Sequence, residues 1–282
     1  MIESLAPTKI NLVLEVLGKR DDGYHEIRSL MQTVSLCDVL TFEEADDISF
    51  ECTEPSLQNV ENLVVKAAEL LRQVTGCPKG MSIKLEKCIP WGTGLGGSSS
   101  DAAATLLVLN KLWNLNLKTP DLVGLAAKLG SDVPFFIYGG AALSEGKGER
   151  VTPLQPVSRW FVLLVPPLPK MRSKTKQLYS LLATQHYTKG LFVDEAVEAL
   201  SRLGQVSPSL LFNVFDSIAF DAFHGLEDWW RRFQEAGAKV IHLAGSGQAM
   251  FAPVESQARA EKLCDRLRGQ GLEAYAVSNV KS

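Results

Sequence analysis

The chain has 282 residues, 46% hydrophobic and 22% charged, with 29 basic against 32 acidic side chains and a formal net charge of −3. This is the profile of a globular protein with a real core, long enough for one large domain or two smaller ones. It excludes the basic surplus that nucleic acid or an anionic membrane surface demands, and no apolar run approaches the ~20 residues of a spanning helix.

In chain order, "KINLVLEVLGK" alternates like a strand, with Ile10, Leu12 and Leu14 on one face and Asn11, Val13 and Glu15 on the other. Asp21, Asp22 and Gly23 signal a turn. Further strands follow to about residue 54, broken by the acidic stretch at 43–47. Residues 62–74, "NLVVKAAELLRQV", carry apolar side chains at helical spacing, and Gly76 ends the helix. "MSIKLEKCIP" reads as a strand closed by Pro90, and a helix is expected from about Ser99 to Trp113. Thr119 caps the next helix, with Pro120 at its first position and Gly130 beyond its end. Residues 132–154, "DVPFFIYGGAALSEGKGERVTPL", read as short strands and glycine turns, and "RWFVLLVPP" as a buried strand.

The polar segment 170–189 has a loop-like start. Helices are expected at 193–203, 226–236 and 258–272. "KVIHLAGSGQAMFAPV" reads as strand–turn–strand and "LEAYAVSN" as a last strand. Mixed strands and helices in two portions give an α+β fold. The Pro-rich "PLQPVSRW" places the domain boundary between 1–155 and 156–282. The five cysteines (37, 52, 77, 88 and 264) are odd in number and lack C-x-x-C spacing, so buried free thiols in a reducing cytoplasm are expected. Four histidines without helical pairing predict no metal cage, and the N-terminus shows no basic leader before an apolar block.

The densest signal is "PWGTGLGGSSSDAAATLLVL", residues 90–109. Helix-start N–H groups lack intrahelical partners and carry partial positive charge. Gly92, Gly94, Gly96 and Gly97 let such a backbone curl around phosphate oxygens, with Ser98, Ser99 and Ser100 as further donors. Ser98 and Asp101 also match a capping box, so part of the motif starts a helix. The G-x-G-x-x-G pattern lacks the acid of a dinucleotide fold. No Gly-Lys-Ser/Thr of a Walker loop follows, and no H-R-D or D-F-G of a protein kinase is present.

"PWGTGLGGSSSDAA" resembles the phosphate loop of the galactokinase, homoserine kinase, mevalonate kinase and phosphomevalonate kinase (GHMP) superfamily. "APTKINLVLEVLGKRDDGYHEI" is similar to that family's first motif and "HLAGSGQAMFA" to its third, in the same order. The "D-G-Y-H" turn, "GSDVPFFIYGGAALSEGKGE" and "ENLVVKAAELL" resemble the branch that phosphorylates CDP-methylerythritol in non-mevalonate isoprenoid synthesis. Departures from the pattern are Thr8, Ser98, Ser131 and the tail Gln248, Ala249 and Met250.

The resemblance implies a two-lobed kinase with ATP and the alcohol in the cleft between lobes, Mg2+ arriving with ATP, and no nucleic-acid or membrane partner. A monomer and a homodimer both remain open. It implies Asp132 as the base that takes the acceptor hydroxyl proton and Lys9 as its partner, leaning toward the transferred phosphate. It assigns Pro90, Leu95, the four glycines, the three serines and Asp101 to ATP, with Asn62 and Lys87 near the adenine end. Asn11, Tyr24, His25, Tyr179, Gly245, Ser246 and Gly247 are assigned to the alcohol substrate, with Tyr179 as the aromatic wall opposite Tyr24 and His25. Blander uses compete: an N-cap or turn aspartate for Asp132, a helix cap for Asn62, solvated lysines for Lys9 and Lys87, a turn for Tyr24 and His25, a helix core aromatic for Tyr179. A mevalonate- or homoserine-type kinase and a non-catalytic nucleotide binder are the alternatives.

Overall fold

The computed structural model describes residues 1–169 and 174–280. Residues 170–173, the expected loop-like start of the polar segment, lie outside the described residues. The architecture is α+β. Two compact units share the chain: Met1–Thr8, Leu36–Trp91 and Gly96–Tyr138 form the first, and Lys9–Ser35, Gly92–Leu95 and Gly139–Ser282 the second. Strands β1 (Ile2–Lys19) and β2 (His25–Glu43) each contribute residues to both.

In the first unit, the end of β2 pairs antiparallel with β4 (Met81–Glu86), and β4 pairs parallel with β3 (Ile48–Cys52). The alternation of β4 buries Met81, Ile83 and Leu85. Helix α1 (Leu63–Thr75) buries Val64, Ala67, Ala68 and Leu71, the i, i+3, i+4, i+7 face. Gly76 closes it in the left-handed region at φ 66°. α1 packs on α2 (Gly97–Leu112), whose small residues Ala102, Ala103 and Ala104, spread around the helix, let its neighbours approach. α3 (Thr119–Leu129) has Lys118 rather than Thr119 at its cap position, with Pro120 in the first turn. Residues 133–138, expected as strand, form helix α4 (Val133–Tyr138). Pro134 suits a helix's first turn, and burial of Val133, Phe135, Phe136 and Ile137 against α2 and α3 outweighs their strand preference.

In the second unit, the start of β2 pairs with β5 (Ala141–Gly146), which pairs with β6 (Arg150–Leu154), all antiparallel. β7 (Trp160–Val165) is the buried centre of a second sheet. The segment α5 (Lys174–Leu181) is helical, in keeping with the helix-core alternative for Tyr179. α6 (Leu191–Leu203) comes next, then β8 (Phe212–Asn213), which lies parallel to β1. α7 (Ala219–Ala222) and α8 (Leu226–Ala236) precede β9 (His242–Leu243), β10 (Met250–Val254), α9 (Gln257–Arg268) and β11 (Glu273–Ser278). The second sheet runs β11-β7-β10-β9. α9 packs on it and stops at Arg268 rather than 272, because Gly271 takes φ 76° in the turn beyond. Val162, Leu164, Phe215, Phe233, Leu243, Met250 and Leu267 belong to one continuous core.

Residues 8–16 of β1 are all buried, so its polar side chains require partners. Glu15 finds them at the start of α6, accepting from Gly190 N (3.1 Å) and Val193 N (2.8 Å). All five cysteines are free thiols, but only Cys52 and Cys264 are buried, and Cys88 is exposed. Among the described residues, no helix is long and apolar enough to cross a membrane.

Candidate active site

The segment after β4 turns through the glycine loop into α2, with Gly92–Leu95 counted in the second unit and Gly96–Tyr138 in the first. Gly92, Gly94 and Gly96 all have positive φ (77°, 96° and 78°), the freedom expected of this stretch. Gly96 is the residue before α2, and no side chain caps the helix start. Ser98 and Asp101 therefore do not form the expected capping box. The first-turn amides of residues 97–99 are donors without intrahelical acceptors, at the positive end of a sixteen-residue helix. This arrangement fits an anionic group. The buried Ser100 Oγ has no hydrogen-bond partner, nor has Asp101 Oδ1. Ser98 is exposed and Ser99 half-buried, so their hydroxyls reach solvent.

Asp101 and Lys87 are internal. The Lys87 ammonium pairs with Asp38 and, at 3.0 Å, with Asp101; these three side chains are 4% exposed or less. Lys87 N donates to Thr53 Oγ1 at 2.9 Å. Burial pulls the Lys87 pKa down, but the charges of Asp101 and Asp38 more than offset it and the net shift is upward. Burial raises Asp101, with Asp38 adding to the rise and Lys87 opposing it. Asn62 caps α1: Oδ1 accepts from Val64 N (2.9 Å) and Nδ2 donates to Leu57 O (2.9 Å). Asp132 is half-buried in the turn ahead of α4.

In the second unit, Lys9 is buried at 3% exposure and donates to Asn11 Oδ1 at 2.7 Å. Asn11 Nδ2 donates to Ser29 Oγ at 2.6 Å, which donates in turn to Val13 O at 2.7 Å. Lys9 is thus not a solvated edge lysine. Its ammonium is aimed by a buried chain of hydrogen bonds. A Cβ on Gly245 would fall 2.7 Å from Lys9 Nζ and 3.0 Å from Asn11 Oδ1, so the third glycine segment lies directly against this lysine. Gly247 and Gly94 cross backbone to backbone: a Cβ on Gly94 would sit 2.7 Å from Gly247 Cα. Ala249 N donates to Thr93 O (3.2 Å), and Lys9 N to Leu95 O (3.2 Å). The first and third motifs therefore meet around residues 92–95.

Asn213 fixes the third segment from behind, donating to Leu243 O (2.9 Å) and Gly245 O (3.1 Å). Asp216 accepts from Leu243 N at 2.9 Å and lies 2.7 Å from His242 Nδ1. Burial raises the Asp216 carboxyl, with His242 opposing.

The aromatic residues also gather in this unit. His25 and Tyr179 rings lie 4.9 Å apart, tilted by 31°, and Tyr187 Oη is 3.5 Å from His25 Nε2. A base sandwiched between two rings needs roughly 7 Å between their centroids. Tyr179 therefore packs on His25 instead of facing it across a gap, and the two make one platform. Tyr179 also meets Phe215 edge-on at 5.0 Å. Tyr24 is exposed, with the Lys147 ammonium 4.7 Å above its ring. Ser246 Oγ is 3.2 Å from Thr175 Oγ1 on α5.

Asp38, Ser29, Asn213 and Thr175 are additions that the motifs alone do not reveal. Asp38 has a signal, a carboxylate inside the strand-like run "SLCDVLTF", where charges are seldom buried without a partner. Among the described residues, no three His, Cys, Asp or Glu side chains cluster to hold a metal.

Comparison with known proteins gives the family. The family described as GHMP kinases N terminal domain matches residues 62–140. A 4-diphosphocytidyl-2-C-methyl-D-erythritol kinase of Dehalococcoides mccartyi is 44% identical over 281 residues, 99% of each chain. A protein of the same name from Symbiobacterium thermophilum is 39% identical over 273 residues, 95% of this chain and 96% of the relative. A crystal structure of a 4-(cytidine 5'-diphospho)-2C-methyl-D-erythritol kinase superposes with a TM-score of 0.84 at 36% identity, covering 100% of both chains. A homoserine kinase from Cytophaga hutchinsonii, at TM-score 0.75 and 20% identity, shares the fold. With such identity along almost its entire length, and with the glycine loop, the buried lysine and the third segment in place, the chain belongs to the 4-diphosphocytidyl-2-C-methyl-D-erythritol kinase family of the GHMP kinases.

Proposed function

We propose that the protein transfers the γ-phosphoryl group of ATP to the 2-hydroxyl of 4-diphosphocytidyl-2-C-methyl-D-erythritol, a step of non-mevalonate isoprenoid precursor synthesis. The observation that carries this reading is the 44% identity, over 99% of both chains, to a relative named for that activity. The uncapped start of α2 supports the phosphate half of it.

The glycine loop, from Pro90 through Leu95 to Asp101, receives the triphosphate, with backbone amides as the main donors. Asn62 borders the adenine end as a cap of α1. Lys87, whose ammonium and amide are both engaged within the protein, acts on ATP through the loop. Asp132 accepts the hydroxyl proton as the new oxygen–phosphorus bond forms and the bond to the β-phosphate oxygen breaks. Lys9, aimed by Asn11, supplies positive charge to the transferred group. Tyr24 and the His25–Tyr179 platform stack the cytosine, and Gly245, Ser246 and Gly247 border the alcohol. Mg2+, when bound, would neutralise phosphate charge, held mostly by phosphate and water oxygens, with Ser99 or Asp101 as the side chains that could join them. Residues 1–155 carry the ATP half of the work and 156–282 complete the substrate half. The protein acts in the cytoplasm, as a monomer or homodimer, on small molecules alone.

The test is coupled ADP release with the CDP-alcohol, with wild type beside Asp132→Asn and Lys9→Ala. Turnover should fall at least ~100-fold in Asp132→Asn, the low end of general-base contributions. Phosphorylation of mevalonate or homoserine in place of the CDP-alcohol would refute the acceptor. Undiminished turnover in Asp132→Asn would refute the base.

A further inference from the structure

Asp38 is a fully buried carboxylate on β2. Its Oδ1 accepts from Cys88 N at 2.7 Å and from Ile89 N at 2.8 Å. Its Oδ2 takes the Lys87 ammonium, which also reaches Asp101 on the second turn of α2. The first residue of that helix rests on the same cluster. A Cβ on Gly97 would meet Ile89 Cγ2 and Lys87 Nζ at 3.2 Å and Asp38 Oδ2 at 3.3 Å. Two flanks of the glycine loop, the strand exit at 87–89 and the start of α2, therefore refer to one carboxylate. Buried ion pairs add little net stability, because desolvation consumes most of the attraction. The output of this cluster is geometry.

We propose that Asp38 is a positioning residue for ATP: it fixes the helix start that receives the phosphates against the strand that leads into the loop. The assignment rests on the ATP reading above and adds a residue that never touches the nucleotide. Asp38→Asn separates its parts. One oxygen can still accept the two amides, but the amide nitrogen then faces the Lys87 ammonium, donor against donor. Turned the other way, the side chain gives up the two backbone amides. The substitution removes the Asp38 charge that raises Asp101, so Asp101 ionises more readily and pairs one-to-one with Lys87, and the fold should be retained. Asp38→Glu keeps the charge and displaces the carboxylate by one methylene. Gly97→Ala presses on the cluster from the helix side and leaves its three polar side chains unaltered.

The experiment titrates each variant with a non-hydrolysable ATP analogue by calorimetry and measures kcat and both KM values. Analogue Kd and KM for ATP should rise about tenfold in Asp38→Asn and Asp38→Glu, the effect of one lost charged hydrogen bond, with KM for the alcohol within about twofold of the parent. Gly97→Ala should weaken the analogue in the same direction. A purely structural role lowers the folded fraction, hence kcat alone, and leaves both KM values; that result overturns the proposal. Parent affinity in Asp38→Glu overturns it as well, since charge alone would then suffice, and so does parent affinity in Gly97→Ala. A parent that binds the analogue but transfers nothing to the CDP-alcohol refutes the acceptor assignment while the titration still decides Asp38. A parent that fails to bind the analogue overturns both.

Discussion

Replacing Gly247 by alanine adds one methyl group where two backbones cross. That Cβ would lie 2.0 Å from Thr93 O, 2.5 Å from Thr93 C and 2.7 Å from Gly94 Cα. Ordinary carbon contacts begin near ~3.5 Å, so the two segments must part by more than ~1 Å. Every obstacle is main chain, so no rotamer change relieves it. Parting also stretches the bond from Ala249 N to Thr93 O, now 3.2 Å. Overpacking at ~1–3 kcal/mol and one weakened hydrogen bond at ~1 kcal/mol give a loss of roughly 2–4 kcal/mol. Gly124 is the internal control. It is exposed inside α3, and a Cβ there meets nothing within 4 Å. The same substitution at Gly124 should stabilise by ~0.5–1 kcal/mol, because alanine loses less backbone entropy in a helix. Urea unfolding followed by circular dichroism reads both. The midpoint should fall for Gly247→Ala and rise for Gly124→Ala. Equal midpoints for Gly247→Ala and the parent would show that the two glycine segments are not in backbone contact.

Three further outcomes follow from the polar interior. Asp101 has its carboxyl pushed up from the ordinary 3.8 to about 8, so the folded chain holds a proton that the unfolded chain has released. Its contribution to stability is complete below pH 3.8 and is lost as pH rises toward 8; Asp101→Asn should flatten Tm against pH across that window, and an unchanged slope would refute the shift. Asn213 donates to two backbone carbonyls, so Asn213→Asp, which sets a carboxylate against them, should lower Tm more than Asn213→Ala despite its smaller change in volume. Asn62→Ala should lose about 1 kcal/mol in urea unfolding as an N-cap and Asn62→Ser recover most of it; no loss in the alanine variant would show that the cap bonds contribute nothing.

Much of this was legible in the residues because local chemistry is periodic and punctuated. α1, α6 and α8 follow from apolar spacing and from glycines at their ends. The glycine loop announced itself by four glycines in six residues before a good helix former. The miss at α4 has a tertiary cause: "VPFFIY" has strand composition, and only burial against two helices makes it helical. α5 showed only through Tyr179 as a helix core aromatic, because its apolar residues are few and its anchors, His25 and Phe215, lie far away in sequence. The Asp38–Lys87–Asp101 cluster draws on three elements, and nothing in local spacing joins residues 38, 87 and 101. Lys9 and Asn11 shared a strand face on paper, but Ser29 and Gly245 could join them only through the fold.

α5 has a consequence for the proposed substrate half of the site. Thr175 and Tyr179 stand four positions apart on one helical face, one touching Ser246 and the other the imidazole of His25. The rigid step between them, about 6 Å along the helix, works as a gauge. If the platform stacks the cytosine as proposed, this step sets how far the heterocycle must stand from the third glycine segment, and ligands whose bridge has the matching length are favoured. Inserting a single residue between positions 175 and 179 would swing the two contacts about 100° apart and erase that calibration.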